Sequence, residues 1–465
     1  MDPMQKIIAH YANLRFEDLP ADAVCATRNL VVDALACALA GSAAPLNPEI
    51  IERHIRWGGA PEATVLVFGG KVPAPTAAWL NAAMIHSNDF DDTEDVTQNH
   101  IFVTILPALL AAGESCGRTM PGREVIAALA GAADVTLRLN AVVHKSIHPG
   151  WLPTSVFGAV SASMAAARAL GLDEEGLANA AGFGYAQSHG NRQALLDGTV
   201  AKRLQPAFSA RAGVHSAVLA QTGATGPRRI VEGADGVIEL FGGGEGDPVA
   251  LTRELGETFH VTRVGMKPYP SCRVSHPHIS AALEARERLG SFGAQDVESV
   301  EVWATPIGHS MIGQPFQIRE NPQVDAQFSA QWTTAFSLLK GVPRIAHFEP
   351  DLIVSGAEVI ELARKTRVHI WEEGSLLLVP VRIHIKLKDG READVTHDRI
   401  KGSSEWAMTE QERKEKFFSC AEAAAVRLEP EDVERAFEEL SSLENCADVR
   451  PVLALLAASK NPALA

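Results

Sequence analysis

Residues 86–100, HSNDFDDTEDVTQNH, gather His86, Asp89, Asp91, Asp92, Thr93, Asp95 and His100 into one stretch. Crowded carboxylates raise one another's pKa, which brings one of them into range to act as an acid or base near neutral pH. With the first half helical, Asp89, Asp92 and Thr93 share a face at i, i+3 and i+4. His100 stands just before the apolar run 101–106. At a helix start the dipole disfavours imidazolium and leaves a neutral base. The competing reading is a polar loop of helix-capping aspartates. Asp91, Asp92 and Asp95 also spell DDxxD, a pattern that holds magnesium and a substrate diphosphate in all-helical terpenoid synthases. The aromatic lining and second metal motif which that chemistry needs are not evident.

Two further stretches carry cations. Residues 197–211, DGTVAKRLQPAFSAR, place Lys202 and Arg203 among Val200, Leu204 and Phe208, with Arg211 further along. A partly buried lysine faces a counter-charge or an anionic ligand; a solvated basic turn is the plain alternative. Residues 266–280, MKPYPSCRVSHPHIS, pin Lys267, Arg273 and His276 among three prolines, which stiffen a loop that must hold catalytic groups. His276 and His278 form an HxH pair without a Cys or acidic neighbour, so no metal is expected. Cys272 is a candidate nucleophile, but a lone Cys more often packs as a small hydrophobe. Phosphate-binding Walker loops and GxSxG elbows are missing from the chain.

The elements that must position these groups are mostly helical up to about residue 262. Segments 30–39, 124–139, 155–170, 173–181 and 213–221 show helical apolar spacing, with Gly171 a candidate C-cap. Beyond 264 the pattern alternates in strand fashion at 299–303 and 380–388, and the turn at Asp389-Gly390 points to a hairpin with 392–397. Helical segments at 279–289 and 326–339 lie between them, and 409–428 and 429–440 are helical and charged. The expected fold is mainly α: a large all-helical domain (1–263), an inserted smaller α+β lid domain (264–400), and C-terminal helices (401–465) returning to the first.

The chain has 465 residues and a net charge of −15, so nucleic acid and anionic membrane surfaces are poor partners. An anionic substrate needs local Lys and Arg to reverse that field. Aromatics are 6% of residues and Ala is plentiful, which suggests helices in close contact through small side chains. Six scattered cysteines, with no CxxC, fit reduced thiols in the cytoplasm. The N-terminus shows no signal-peptide pattern. The apolar run 30–44 is short and contains Asp33, so no bilayer span is expected.

Taken in order, VVDALACALAG, HSNDFDD, GWLPTSVFGAVSASMAAARALGL, DGTVAKRLQPAFSARAG, KPYPSCRVSHPHI and KFFSCA resemble the MmgE/PrpD family over nearly the whole chain. That family includes 2-methylcitrate dehydratases, cis-aconitate decarboxylases and an iminodisuccinate epimerase. The resemblance implies a homodimer without metal or organic cofactor, acting on a small di- or tricarboxylate at a site between its domains. It matches Asp89, Thr93 and His100 to the family's acidic loop, Lys202 to its pocket lysine and Lys267 to the lysine opening its lid motif. Three positions depart from it: Leu152 where a histidine is usual, Trp332 where an aromatic hydroxyl often stands, and Cys272 where some members carry histidine. His144, His148 and His276 are candidates to compensate for Leu152. The expected chemistry is removal of a proton next to a carboxylate. His100 serves as base, and Asp89 or Asp92 orients it or acts as acid. Thr93 binds substrate oxygen, while Lys202, Lys267, Arg273 and His276 hold the substrate. A dehydratase-type lyase is favoured, with an epimerase, a cis-aconitate-like decarboxylase and a non-catalytic binding protein as alternatives.

Overall fold

In the computed structural model, which describes residues 2–372 and 378–459, the chain divides into two compact units. The first comprises residues 1–87, 91–264 and 413–465; the second comprises 88–90 and 265–412. The fold is mainly α.

The long helices of the first unit are α1 (Ala21–Gly41), α2 (Ala74–His86), α3 (Phe102–Ser115), α4 (Gly122–Val143), α5 (Pro153–Ala169), α6 (Glu174–Ala186) and α7 (Ala201–Gln221). Helix α5 is central, packing on α3, α4, α6 and α7, and α7 in turn lies on α2. Small residues bring these backbones together. Ala159, Ala162, Ala165 and Ala166 of α5 are fully buried. A Cβ on Gly213 of α7 would stand 2.7 Å from the Ala162 backbone, and one on Gly41 would overlap the Met84 carbonyl of α2. Local signals set the ends: Pro153 opens α5, Gly171 at φ +77° follows it, and the Asp173 carboxylate accepts the Gly176 N–H at 2.9 Å to start α6. In the cluster 197–211, residues 197–200 form a turn and 201–211 are the first half of α7, with Pro206 inside the helix.

Helices α1 and α4 are long and apolar enough to cross a membrane, but 72% and 94% of their apolar windows are buried inside the protein. The early apolar run is thus longer than its sequence reading, because α1 begins nine residues before Leu30 and spans 21 residues. Its burial is that of a core helix.

The second unit holds a four-stranded sheet of β1 (Val297–Ala304), β2 (Thr366–Ile370), β3 (Val381–Leu387) and β4 (Glu392–His397), in the order β2-β1-β3-β4. Val302 faces Val368 across the parallel β1–β2 pair and Ile383 across the antiparallel β1–β3 pair. Ile383 in turn faces Val395 of β4. Period-two alternation buries Val381, Ile383, Ile385 and Leu387. The sheet packs on α8 (His276–Leu289) and α9 (Ala330–Lys340), with Trp332, Phe336 and Phe348 in the core. The helix read over 326–339 is interrupted: Pro322–Gln327 ends, and the Ser329 hydroxyl accepts the Trp332 N–H at 3.1 Å to begin α9 anew. Residues 401–412 keep their contacts in this unit. Gly402 O accepts from Met266 N at 2.9 Å, Lys401 pairs with Glu412 at 3.0 Å, and Trp406 stacks on His397 at 5.5 Å. Helix α10 (Glu410–Glu422) starts there, and its later residues belong to the first unit. In that unit buried Lys416 meets buried Asp33 of α1 at 2.7 Å.

Candidate active site

The acidic stretch is not helical. Helix α2 stops at His86, and 87–101 run as turns with one two-residue strand, Thr93–Glu94. Ser87 donates its hydroxyl proton back to Ala83 O at 2.6 Å, and Asp89 sits at φ +51°. That left-handed conformation ends a right-handed helix. The expected shared face of Asp89, Asp92 and Thr93 therefore does not form, and the aspartates diverge to separate tasks.

Asp91 becomes the centre of the first unit's cluster. Fully buried, it accepts from His86 Nδ1 at 2.9 Å through Oδ2, and His100 Nδ1 approaches the same oxygen at 3.3 Å. The two rings meet edge to face with centroids 4.6 Å apart. On the far side of His86, Lys202 Nζ lies 3.2 Å from Nε2. An ammonium has only protons to offer, so Nε2 accepts and Nδ1 carries the ring's single proton toward Asp91. Burial agrees with this neutral form, pushing His86 down to about 4. Burial alone would lift Asp91, but the imidazoles beside it outweigh that and hold its carboxyl well below the usual range. His100 keeps a side chain 16% exposed, so its ring edge is within reach of a small molecule.

Asp92 does something else. Its two oxygens accept the backbone N–H groups of Ile101 (2.8 Å), the N-cap residue of α3, and of Phe102 (3.1 Å), its first residue. It is a helix cap supplied from outside the helix, a task that its sequence reading as acid or orienting group did not include. Burial, and then the charge on Asp91, raise it well above the usual carboxylate range. The backbone of His100 is fixed as well, its N–H donating to Thr154 Oγ1 at 2.9 Å in the first turn of α5. Thr93 is buried in its short strand. Lys202 occupies the first turn of α7.

The second unit has a cluster of its own. Lys267, buried to 1% exposure, donates to Asp89 Oδ2 at 3.0 Å and to Asp89 O at 2.9 Å. Gln327 Nε2 bridges Asn88 O (2.9 Å) and Pro270 O (3.0 Å), tying the 88–90 segment to the proline loop. Arg273 donates to Lys401 O at 2.8 Å. His276 is fully buried, with Nε2 3.2 Å from Ser271 O. Burial, then Arg273 and Lys267, keep it neutral by pushing its pKa well below the usual value. Structure therefore gathers Lys267, Asp89, Arg273 and His276 in one unit, and His100, Asp92, Thr93 and Lys202 in the other.

The three departures have different local meanings. Leu152 is the residue before α5, two positions ahead of the threonine that holds His100. Trp332 lies in the second unit's core, stacked on Phe336 with centroids 5.0 Å apart. Cys272 is buried among Val274, Ile312 and Ala330. His144 and His148 are exposed. Sequence reading passed over His86, Asp91 and Thr154 as site residues. The signal for the first two was present, a histidine ending a helix five residues before an aspartate, but that spacing has no meaning until the loop geometry is known.

The family's N-terminal domain profile matches residues 5–249, and its C-terminal domain profile matches residues 269–443. The chain belongs to the MmgE/PrpD family. Among curated relatives, a cis-aconitate decarboxylase from Aspergillus terreus is 26% identical over 97% of this chain and 95% of its own length. A cis-aconitate decarboxylase-like protein, oryM, from Aspergillus oryzae is 26% identical over 95% of each chain. The Mus musculus cis-aconitate decarboxylase is 24% identical over 81% of this chain and 78% of its own. As an MmgE/PrpD protein the chain is an enzyme of the dehydratase and decarboxylase kind at family level.

Proposed function

We propose that this MmgE/PrpD protein is a lyase, working without a metal or organic cofactor, that moves a proton at a carbon next to a carboxylate of a small di- or tricarboxylic acid. The observation that carries the reading is the His100 imidazole, partly open, with its Nδ1 3.3 Å from the buried Asp91 carboxylate while its backbone is pinned to α5. An imidazole so held presents Nε2 as base. In dehydration His100 takes the proton from carbon, the C–H electron pair forms the double bond, and the hydroxyl leaves as water after gaining a proton. Negative charge builds on the adjacent carboxylate as the proton departs. Cations already in place stabilise that charge most, and Lys202 is proposed for this role. Asp89 and Asp91, one carboxylate from each cluster, stand two residues apart in the chain. A cytoplasmic homodimer belongs to the same reading.

The names of the relatives favour one second reading, decarboxylation of a cis-aconitate-like acid. One experiment separates the two: incubation with citrate, 2-methylcitrate, cis-aconitate and related acids in deuterated water, followed by NMR. Dehydration gives a new alkene with loss of water, and decarboxylation gives an acid one carbon shorter with deuterium at the protonated carbon. An epimerase would exchange the C–H without either product. Absence of exchange or product with every acid in such a panel sinks the lyase reading. Leu152→His tests the departure; gain of cis-aconitate or methylcitrate turnover would show that the leucine redirects specificity.

A further inference from the structure

We propose that His86 is a positioning residue that couples Lys202 to the His100–Asp91 pair through its two ring nitrogens, so that one buried imidazole sets both a substrate-holding cation and the orientation of the base. The inference rests on the proposed lyase reading for the roles of Lys202 and His100, but the coupling is a property of the first unit alone. His86 ends α2, Lys202 begins α7, and α2 and α7 pack along each other. The imidazole is 2% exposed and reaches both neighbours, Asp91 at 2.9 Å and Lys202 at 3.2 Å. Asp91 Oδ2 then stands between two Nδ1 atoms, that of His86 and that of His100. A carboxylate held by a strong donor on one side stays 3.3 Å from the His100 Nδ1 on the other, a negative charge that favours the His100 tautomer with its proton on Nδ1. No other ring tautomer of His86 lets a lysine ammonium and a carboxylate occupy both ends.

Two near-isosteric replacements separate the two ends. The amide nitrogen of Asn overlays a histidine Nδ1, and the amide oxygen of Gln overlays Nε2. His86→Asn keeps the donor to Asp91 and gives up Lys202; His86→Gln keeps the acceptor for Lys202 and gives up Asp91. With the acid identified in the NMR screen, H86Q is expected to lower kcat at least tenfold more than it raises KM, and H86N to show the reverse. With no substrate present, protein labelled with 15N-histidine reports the His100 tautomer, assigned by loss of its signals in His100→Gln. The Nδ1–H form is expected in the parent protein and in H86N, and a mixture in H86Q. An unchanged His100 tautomer in H86Q, with its thermal melt intact, overturns the inference, as does the same kcat and KM pattern in both variants. If the tautomer follows the expected contrast while every acid in the screen stays unreacted, the positioning role stands and the lyase reading falls.

Discussion

Two buried carboxylates, one in each unit, have been put to opposite uses. Asp91 is shared by two imidazoles, one neutral and fully enclosed and the other 16% exposed. Asp89 is held by Lys267, whose side chain is 1% exposed, and its own carbonyl accepts from the same ammonium. A carboxylate beside imidazoles orients a proton-transfer group and leaves it able to act. A carboxylate beside a buried ammonium fixes a charge in place and ties its stability to both partners. Residue type does not separate these uses. What separates them is the partner that the fold brings, and whether a ring edge stays open.

The largest expected effect tests the Asp91 side. His100→Ala should lower the rate of substrate C–H exchange by about 100- to 10,000-fold, the range for loss of a general base, with little change in the melting temperature. Wild-type exchange in that variant would remove His100 from the role. On the Asp89 side the effect should fall on folding. Lys267→Met takes the ammonium away from the buried Asp89 carboxylate and should cost roughly 3–5 kcal/mol of stability, read as a lowered urea midpoint. A midpoint near that of the parent would mean the pair is not formed as described.

Acid should discriminate next. His86 and His278 are buried, with pKa values pushed down to about 4 in the folded protein against about 6.5 unfolded. The unfolded chain binds more protons between those values, so stability rises with pH there and is lost as pH falls from 6.5 toward 4. Each histidine should contribute roughly 3 kcal/mol to that loss. Urea melts at pH 7, 5.5 and 4.5 measure it, and a flat profile would contradict the enclosed neutral rings. The smallest effect belongs to Asp92. As a cap for α3, Asp92→Asn should cost about 1 kcal/mol and leave exchange within the same order of magnitude. A hundredfold loss of rate would return it to the acid role.

Much of the fold was legible because period and composition act locally. The hairpin at Asp389-Gly390, the Gly171 stop and the Ala-rich helices all appear where residue patterns put them. Strand β2, TRVHI, was missed: it follows the helix Ala357–Lys365 without turn residues and lies at the sheet edge, where alternation carries less force. At the site the residue types His100, Asp89, Lys202 and Lys267 were readable and their partners were not. The three aspartates at 89, 91 and 92 look equivalent in sequence. Only the left-handed turn at Asp89 decides that one meets a lysine, one two imidazoles and one a pair of backbone amides.

The three residues 88–90 are counted with a unit whose remainder begins 175 positions later, at Gly265. A gene fragment starting there would encode the sheet and its helices but take Asp89 away from Lys267 and leave Gln327 only the Pro270 carbonyl. Split-protein or domain-exchange experiments in such enzymes should therefore carry the tripeptide along, since a cut between the profile matches at 249 and 269 amputates the piece that keeps the second half's lysine at home.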